Sequence, residues 1–216
     1  MKFYNILIKY RLPLGILALA LAILVTYTSG FWPAFILYFI AVVAIVSHYI
    51  IGPLRLVQGY MENGDFEGAG KVLDTVKYPN LLIKPMRSTY YQIKSYVAMS
   101  QKDNVAAEAH MKHSLKLGVP MKEAEGASYL QLGSLAMQRG DMKQGEEYIR
   151  MALKAGLADK DSKAMAHLQL VNAYVQKKQY KAAKEHFKKA ELLNPQNPEI
   201  VSQLKMIKKN IGRMPG

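Results

Sequence analysis

Cysteine is absent from the chain, which excludes disulfide cross-links, thiolate metal sites and cysteine nucleophiles together. Acid is missing from a long N-terminal stretch: all 16 Asp and Glu residues lie at Glu62 or beyond. Between Leu12 and Leu54 no side chain carries charge of either sign, His48 aside. A phosphate-cradling glycine-rich loop, a G-x-S-x-G elbow and an H-E-x-x-H helix are also missing, so the chain is not read as an enzyme and no cofactor is expected. His110 and His113 stand three apart on a predicted helix, a spacing that can hold metal. Lys112 and Lys116 put positive charge beside them and no carboxylate completes a ligand set, so no metal is expected. The acidic pairs Glu146-Glu147 and Asp159 with Asp161 lack the spacing of a calcium loop and read as solvated surface.

What is present divides the chain in two. Residues 1–11 form a basic N-terminus, and residues 12–54 form an uncharged block too long for one membrane span and long enough for two. Thr28, Ser29, Gly30 and Pro33 supply turn residues, which predicts a transmembrane hairpin with spans at about 12–28 and 31–52. Tyr27 and Trp32 flank that turn, where aromatic residues with a polar edge favour the membrane interface. Lys2, Lys9, Arg11 and Arg55 bracket the block without an acid among them, so both termini are expected in the cytoplasm. A cleaved signal peptide with Leu14 to Val25 as its apolar core is the competing reading. The second apolar stretch and the lack of a small-x-small cleavage site count against it. With no acid in either span, His48 reads as an interfacial histidine and not as part of an ion path.

The rest of the chain repeats itself at a step of 38 residues. Gly64-Asp65-Phe66, Lys102-Asp103-Asn104, Gly140-Asp141-Met142 and Lys178-Gln179-Tyr180 stand at that step. So do Ala69, Ala107, Gly145 and Ala183; Leu73, Met111, Ile149 and Phe187; and Val76, Ser114, Ala152 and Ala190. A small residue, a large apolar one four later and a small one three after that share one face of a helix. Each unit is therefore predicted to be a helix-turn-helix that must stack on its neighbours to bury that face.

The pattern resembles the tetratricopeptide repeat. In the last unit Leu170, Tyr174, Ala183, Phe187, Ala190 and Pro195 take the family's places, with His167 where tryptophan is usual and Val171 where glycine is usual. The third offers Tyr129, Leu132, Gly133, Gly140, Gly145, Ile149 and Ala152, with Ala136 in place of the tyrosine. In the second, Tyr91, Ser95 and Ala98 keep the step but put Lys94 at an apolar position, whereas a shift by one would use Tyr90, Ile93 and Val97. The first keeps Leu56, Tyr60, Gly64, Phe66, Ala69 and Leu73, and its first helix emerges directly from the second span, where Gly52 and Pro53 invite a kink. The fold class is thus all-α: a hairpin, then a solenoid of about four helix pairs at about 50–87, 88–125, 126–163 and 164–197, then a basic capping helix and tail at 198–216.

The resemblance implies a concave groove lined by the first helices, a surface for a protein or peptide partner. Its expected inner-facing residues are Gln58, Gln92, Tyr96, Gln131, Ser134, Gln138, Gln169, Asn172 and Gln176. Amide side chains donate and accept hydrogen bonds at once, which suits an extended peptide backbone. The family's readers of acidic C-terminal tails use lysine and arginine on that face, and here only Arg55 is basic, so such a tail is disfavoured. Lysines gather instead toward the C-terminus, where Lys181, Lys184, Lys188, Lys205, Lys208 and Lys209 suit contact with anionic lipid. Without interleaved exposed aromatics, nucleic acid is not expected despite the net charge of +13. The expected role is a membrane-anchored scaffold, in a bacterial inner membrane. The alternative is an accessory subunit that packs Gly15, Ala18, Ala20 and Ala22 of its hairpin into a larger membrane complex.

Overall fold

The computed structural model describes residues 11–212, without the side chains of 11, 47–55, 58 and 62. Lys2 and Lys9, and the side chains of Arg11, His48, Arg55 and Gln58, lie outside the described residues. The protein is all helical, with no strand among the described residues. It divides into two compact units, residues 1–83 and 84–216.

In the first unit, α1 (Arg11–Ser29) and α2 (Phe31–Glu62) are joined by Gly30 alone. The φ of Gly30 is 87°, a left-handed value that side chains rarely adopt. The two helices run antiparallel. A Cβ on Gly15 would lie 3.0 Å from Ile45 Cγ1, and the Thr26 and Tyr38 hydroxyls are 3.2 Å apart nearer the turn. What the pair buries is small, namely Gly15, Ala18, Ala22, Ala34 and Ala41. What it exposes is large, including Leu17, Leu24, Ile36, Phe39 and, at 83%, Trp32. That is the reverse of a water-facing helix pair.

Leu12–Ser29 is long and apolar enough to cross a membrane, as a span or as a signal sequence. Of the second expected span, the apolar stretch Phe31–Val46 is shorter than that criterion among the described residues. Helix α2 runs on through Gly52 and Pro53 to Glu62, so the first helix of the first repeat is the continuation of this segment. It then pairs with α3 (Phe66–Asp74), and a short 3-10 turn, Pro79–Leu81, follows.

The second unit contains α4 (Lys84–Ser100), α5 (Asn104–Leu117), α6 (Lys122–Gln138), α7 (Met142–Ala155), α8 (Lys160–Gln176), α9 (Tyr180–Leu192) and α10 (Pro198–Ile211). Helices α4, α6 and α8 start 38 residues apart, as do α5, α7 and α9. Each helix packs most heavily on its own partner, α4 on α5, α6 on α7 and α8 on α9. The second helix of every repeat buries its predicted stripe: Ala107, Met111 and Ser114, then Gly145, Ile149 and Ala152, then Ala183, Phe187 and Ala190. In the second repeat the unshifted register holds, with Ser95 fully buried and its hydroxyl donating to Ala107 O at 2.7 Å. Tyr90 and Val97 are buried as well.

The turn inside each repeat has one chemistry with two grades of quality. Gly64, Lys102, Gly140 and Lys178 all take a positive φ, which costs a non-glycine residue about 1 kcal/mol. Asp65, Asp103 and Asp141 then cap the next helix by accepting from the backbone N–H three residues on, at 2.8 to 3.0 Å. Gln179, at the same place in the fourth repeat, makes no such cap. Replacing Lys178-Gln179 by the Gly-Asp of the first and third turns, as Lys178→Gly with Gln179→Asp, is expected to stabilise the repeat unit by about 1–2 kcal/mol, read as a rise in the urea midpoint.

Candidate functional site

The expected groove residues come from the first helix of each repeat, and the structure sorts them into two groups. Gln92 Nε2 donates to Ser128 Oγ at 3.1 Å, Gln131 Nε2 to Met99 Sδ at 2.9 Å and Gln169 Nε2 to Ser134 Oγ at 2.6 Å. Each of these bonds joins the first helices of adjacent repeats. Those glutamines and Ser134 therefore hold the stack together, and the buried Oε1 of Gln169 finds no partner among the described residues. Gln138, Asn172 and Gln176 remain exposed. Tyr96 is half-buried, and burial raises the pKa of its hydroxyl.

Two carboxylates on the second helices clamp consecutive repeats. Glu108 on α5 accepts from Lys112 at 2.6 Å and from Arg139 at the end of α6. One step of 38 later, Glu146 on α7 accepts from Arg150 at 3.0 Å, from the Tyr174 hydroxyl at 2.8 Å and from Lys177. Burial pushes both carboxyls up, but the hydrogen bonds and nearby cations outweigh it and leave each below the ordinary carboxylate value. Glu147 is exposed as expected, whereas Glu146 is not solvated surface, its side chain being 15% exposed. The signal that could have found it was present: positions 108 and 146, and 139 and 177, pair acid with base at the repeat's own step. Asp159 is exposed as expected and Asp161 is half-buried, and both hold helix ends. Asp159 caps α8 through Ser162 N at 2.6 Å, and Asp161 accepts from Gln196 N at 2.7 Å ahead of α10.

The histidines are held by aromatic neighbours. His110 and His113 pack around Tyr91, with ring centroids at 5.9 and 4.2 Å. In the fourth repeat the Nδ1 atoms of His167 and His186 are 3.0 Å apart, and His186 stacks on Tyr174. Burial, then His186, then Lys189 lowers the His167 pKa to about 4, so this imidazole is neutral at pH 7. The same positions hold Tyr129 and Tyr148 in the third repeat, which stack at 6.4 Å.

The fold and this face define an α-solenoid of tetratricopeptide type. The tetratricopeptide-repeat family model matches residues 126–155 and 164–197, so the third and fourth units are tetratricopeptide repeats. Among solved structures, one similar chain is from the APC/C hetero-tetramer Cut9-Hcn1, with a TM-score of 0.60 at 18% identity over 88% of this chain. This chain spans only 36% of that one. A second is Pseudomonas aeruginosa pilF, with a TM-score of 0.61 at 15% identity over 89% of this chain and 80% of that one. A third is BtubC (BKLC) from P. vanneervenii, with a TM-score of 0.57 at 15% identity over 95% and 84%. At these identities the likeness is one of fold. No curated protein matches the sequence.

Proposed function

We propose that the protein is a membrane-anchored scaffold whose tetratricopeptide repeats hold a protein partner at the cytoplasmic face of a bacterial inner membrane. The observation that carries the anchor is the inverted packing of α1 and α2, with alanine and glycine inside and leucine, isoleucine and phenylalanine outside. Such a pair is stable in lipid, where close backbone approach supplies the attraction and large apolar side chains meet acyl chains. In water the same exterior would be an apolar patch far larger than monomeric proteins display. The uncharged turn is the part that crosses, and both basic flanks stay on one side.

The partner surface in this reading is the exposed amide set Gln138, Asn172 and Gln176, since its neighbours Gln131 and Gln169 are engaged between repeats. The lysines of α9 and α10 provide an additional contact for anionic lipid. The competing use of the hairpin, docking into a larger membrane complex through small residues, loses most of its surface. Gly15, Ala18 and Ala22 are buried within the hairpin and Ala20 alone is exposed.

Protease accessibility of a C-terminal tag in intact and permeabilised cells tests the anchor. Protection until permeabilisation is the expected result, and cleavage in intact cells would overturn the hairpin. Partner capture by the Gln138→Ala, Asn172→Ala, Gln176→Ala triple variant tests the groove. A loss of about ten-fold is expected, and capture equal to that of the unaltered protein would remove the groove's basis.

A further inference from the structure

A cavity of about 330 Å3 opens among α7, α8 and α9. Leu153, Leu157, Leu192 and Leu193 supply its apolar lining, and Lys163, His167 and Lys189 its polar lining, with no carboxylate. Leu157 is buried, whereas Leu192 is 84% exposed. One repeat earlier a cavity of about 380 Å3 occupies the corresponding place. Its Glu125, Tyr129, Met151, Lys154 and Ala155 stand one step of 38 before Lys163, His167, Lys189, Leu192 and Leu193. The cavity is therefore a feature of the repeat, and the difference in lining is where the fourth repeat has specialised. Lysine replaces Glu125, a second lysine replaces Met151, and leucine replaces Lys154. A mixed-charge lining has become two cations over an apolar wall.

The cations are available. Lys163 has no ion-pair partner among the described residues, and Lys189 commits one donor to Glu185 at 2.7 Å, keeping two. The histidine pair adds a neutral donor. A hydrogen bond between two Nδ1 atoms 3.0 Å apart needs one N–H and one lone pair. When His186 donates, the proton of His167 sits on Nε2 and can be given to an anion.

We propose that this cavity binds a small amphiphilic carboxylate, a straight-chain monocarboxylic acid whose head meets Lys163 and Lys189 and whose chain lies along the leucines. At roughly 30 Å3 per group the cavity holds about ten non-hydrogen atoms, which matches a carboxylate on a chain of about eight carbons. The site shares no residue with the amide face and does not rest on the membrane reading.

The test is photo-labelling of the full-length protein in lipid nanodiscs with octanoate carrying a diazirine, mapped by mass spectrometry. Labels on α7 to α9 are expected, displaced by octanoate and about ten-fold less well by 1-octanol. Lys163→Glu, which restores the charge of the third repeat and places an acid in the favourable first turn of α8, should cut labelling about ten-fold without changing the melting temperature. Equal competition by 1-octanol, unchanged labelling of Lys163→Glu, or label confined to residues 12–54 would each overturn the site. Stronger displacement by a short peptide ending in leucine than by octanoate would overturn the small-acid assignment in favour of a protein tail.

Discussion

Replacing Gly126 by alanine is expected to destabilise the repeat unit by about 3 kcal/mol. On an exposed helix the same change gains about 1 kcal/mol from helix propensity, so the sign is decided by contact. A Cβ here would lie 1.9 Å from the carbonyl oxygen of Gly156 and 2.9 Å from its carbon. Backbone at the end of α7 cannot rotate away as a side chain can, so α6 and α7 must separate. Ser88 and Ala164 occupy the equivalent positions of the flanking repeats, where the helices leave room for a side chain. Gly133→Ala is the control. There the nearest atom is Ile149 Cδ1 at 2.4 Å, the end of a side chain that can turn, so a loss of about half the size is expected. Urea unfolding of the full chain, followed by near-ultraviolet circular dichroism, measures both. An unchanged midpoint for Gly126→Ala would mean that α6 and α7 do not approach as closely as described.

Removal of the Glu146 side chain should cost about 2 kcal/mol, and removal of Glu108 about half as much. Both carboxylates bridge repeats, but only Glu146 also accepts from a tyrosine hydroxyl, that of the buried Tyr174. In Glu146→Ala the cations can rehydrate, since the side chains of Lys177 and Arg150 are 33% and 61% exposed. The tyrosine loses its acceptor, which is the larger part of the loss.

Acid gives the second readout. Because the folded pKa of Glu146 is lowered, its contribution is full above the unfolded carboxylate value of about 4.3 and vanishes as pH falls through the folded one. The unaltered protein and Glu146→Ala should therefore converge in stability below that range. His167 acts in the same direction over a higher window. It is held near 4 in the fold, so the unfolded chain binds the extra proton and stability declines from about pH 6.5 downward. Thermal midpoints between pH 7 and pH 3 would reveal the two stages, and parallel curves for Glu146→Ala and the unaltered protein over that whole range would contradict the assignment of the clamp.

The solenoid was readable in the sequence because its signal is local and repeated. Ala107, Met111 and Ser114 recur as Gly145, Ile149 and Ala152 with the same burial, so a pattern of size along one helix was enough. The groove was read less well for a geometric reason. Gln131 and Gln138 look alike on a helical wheel, yet Gln131 reaches Met99 in the previous repeat while Gln138 stays exposed. Which amide bonds a neighbour depends on how far one repeat is rotated on the next, and no single repeat encodes that rotation. The inverted hairpin was legible only as an uncharged block, because hydropathy counts apolar residues without saying which face each takes. The ends of the second helices went unread although Gly118, Gly156 and Asn194 stand at the common step and all take a positive φ.

Helix α2 places one further demand on the protein. Its 32 residues amount to a rod about 48 Å long at 1.5 Å per residue, against an acyl layer about 30 Å thick. In the proposed placement the apolar half and the half that pairs with α3 are one lever with its fulcrum at the lipid surface. A tilt of the apolar half, such as a thinner bilayer would impose, sweeps the far end sideways and carries α3 with it, so bilayer thickness becomes a variable that this helix can report.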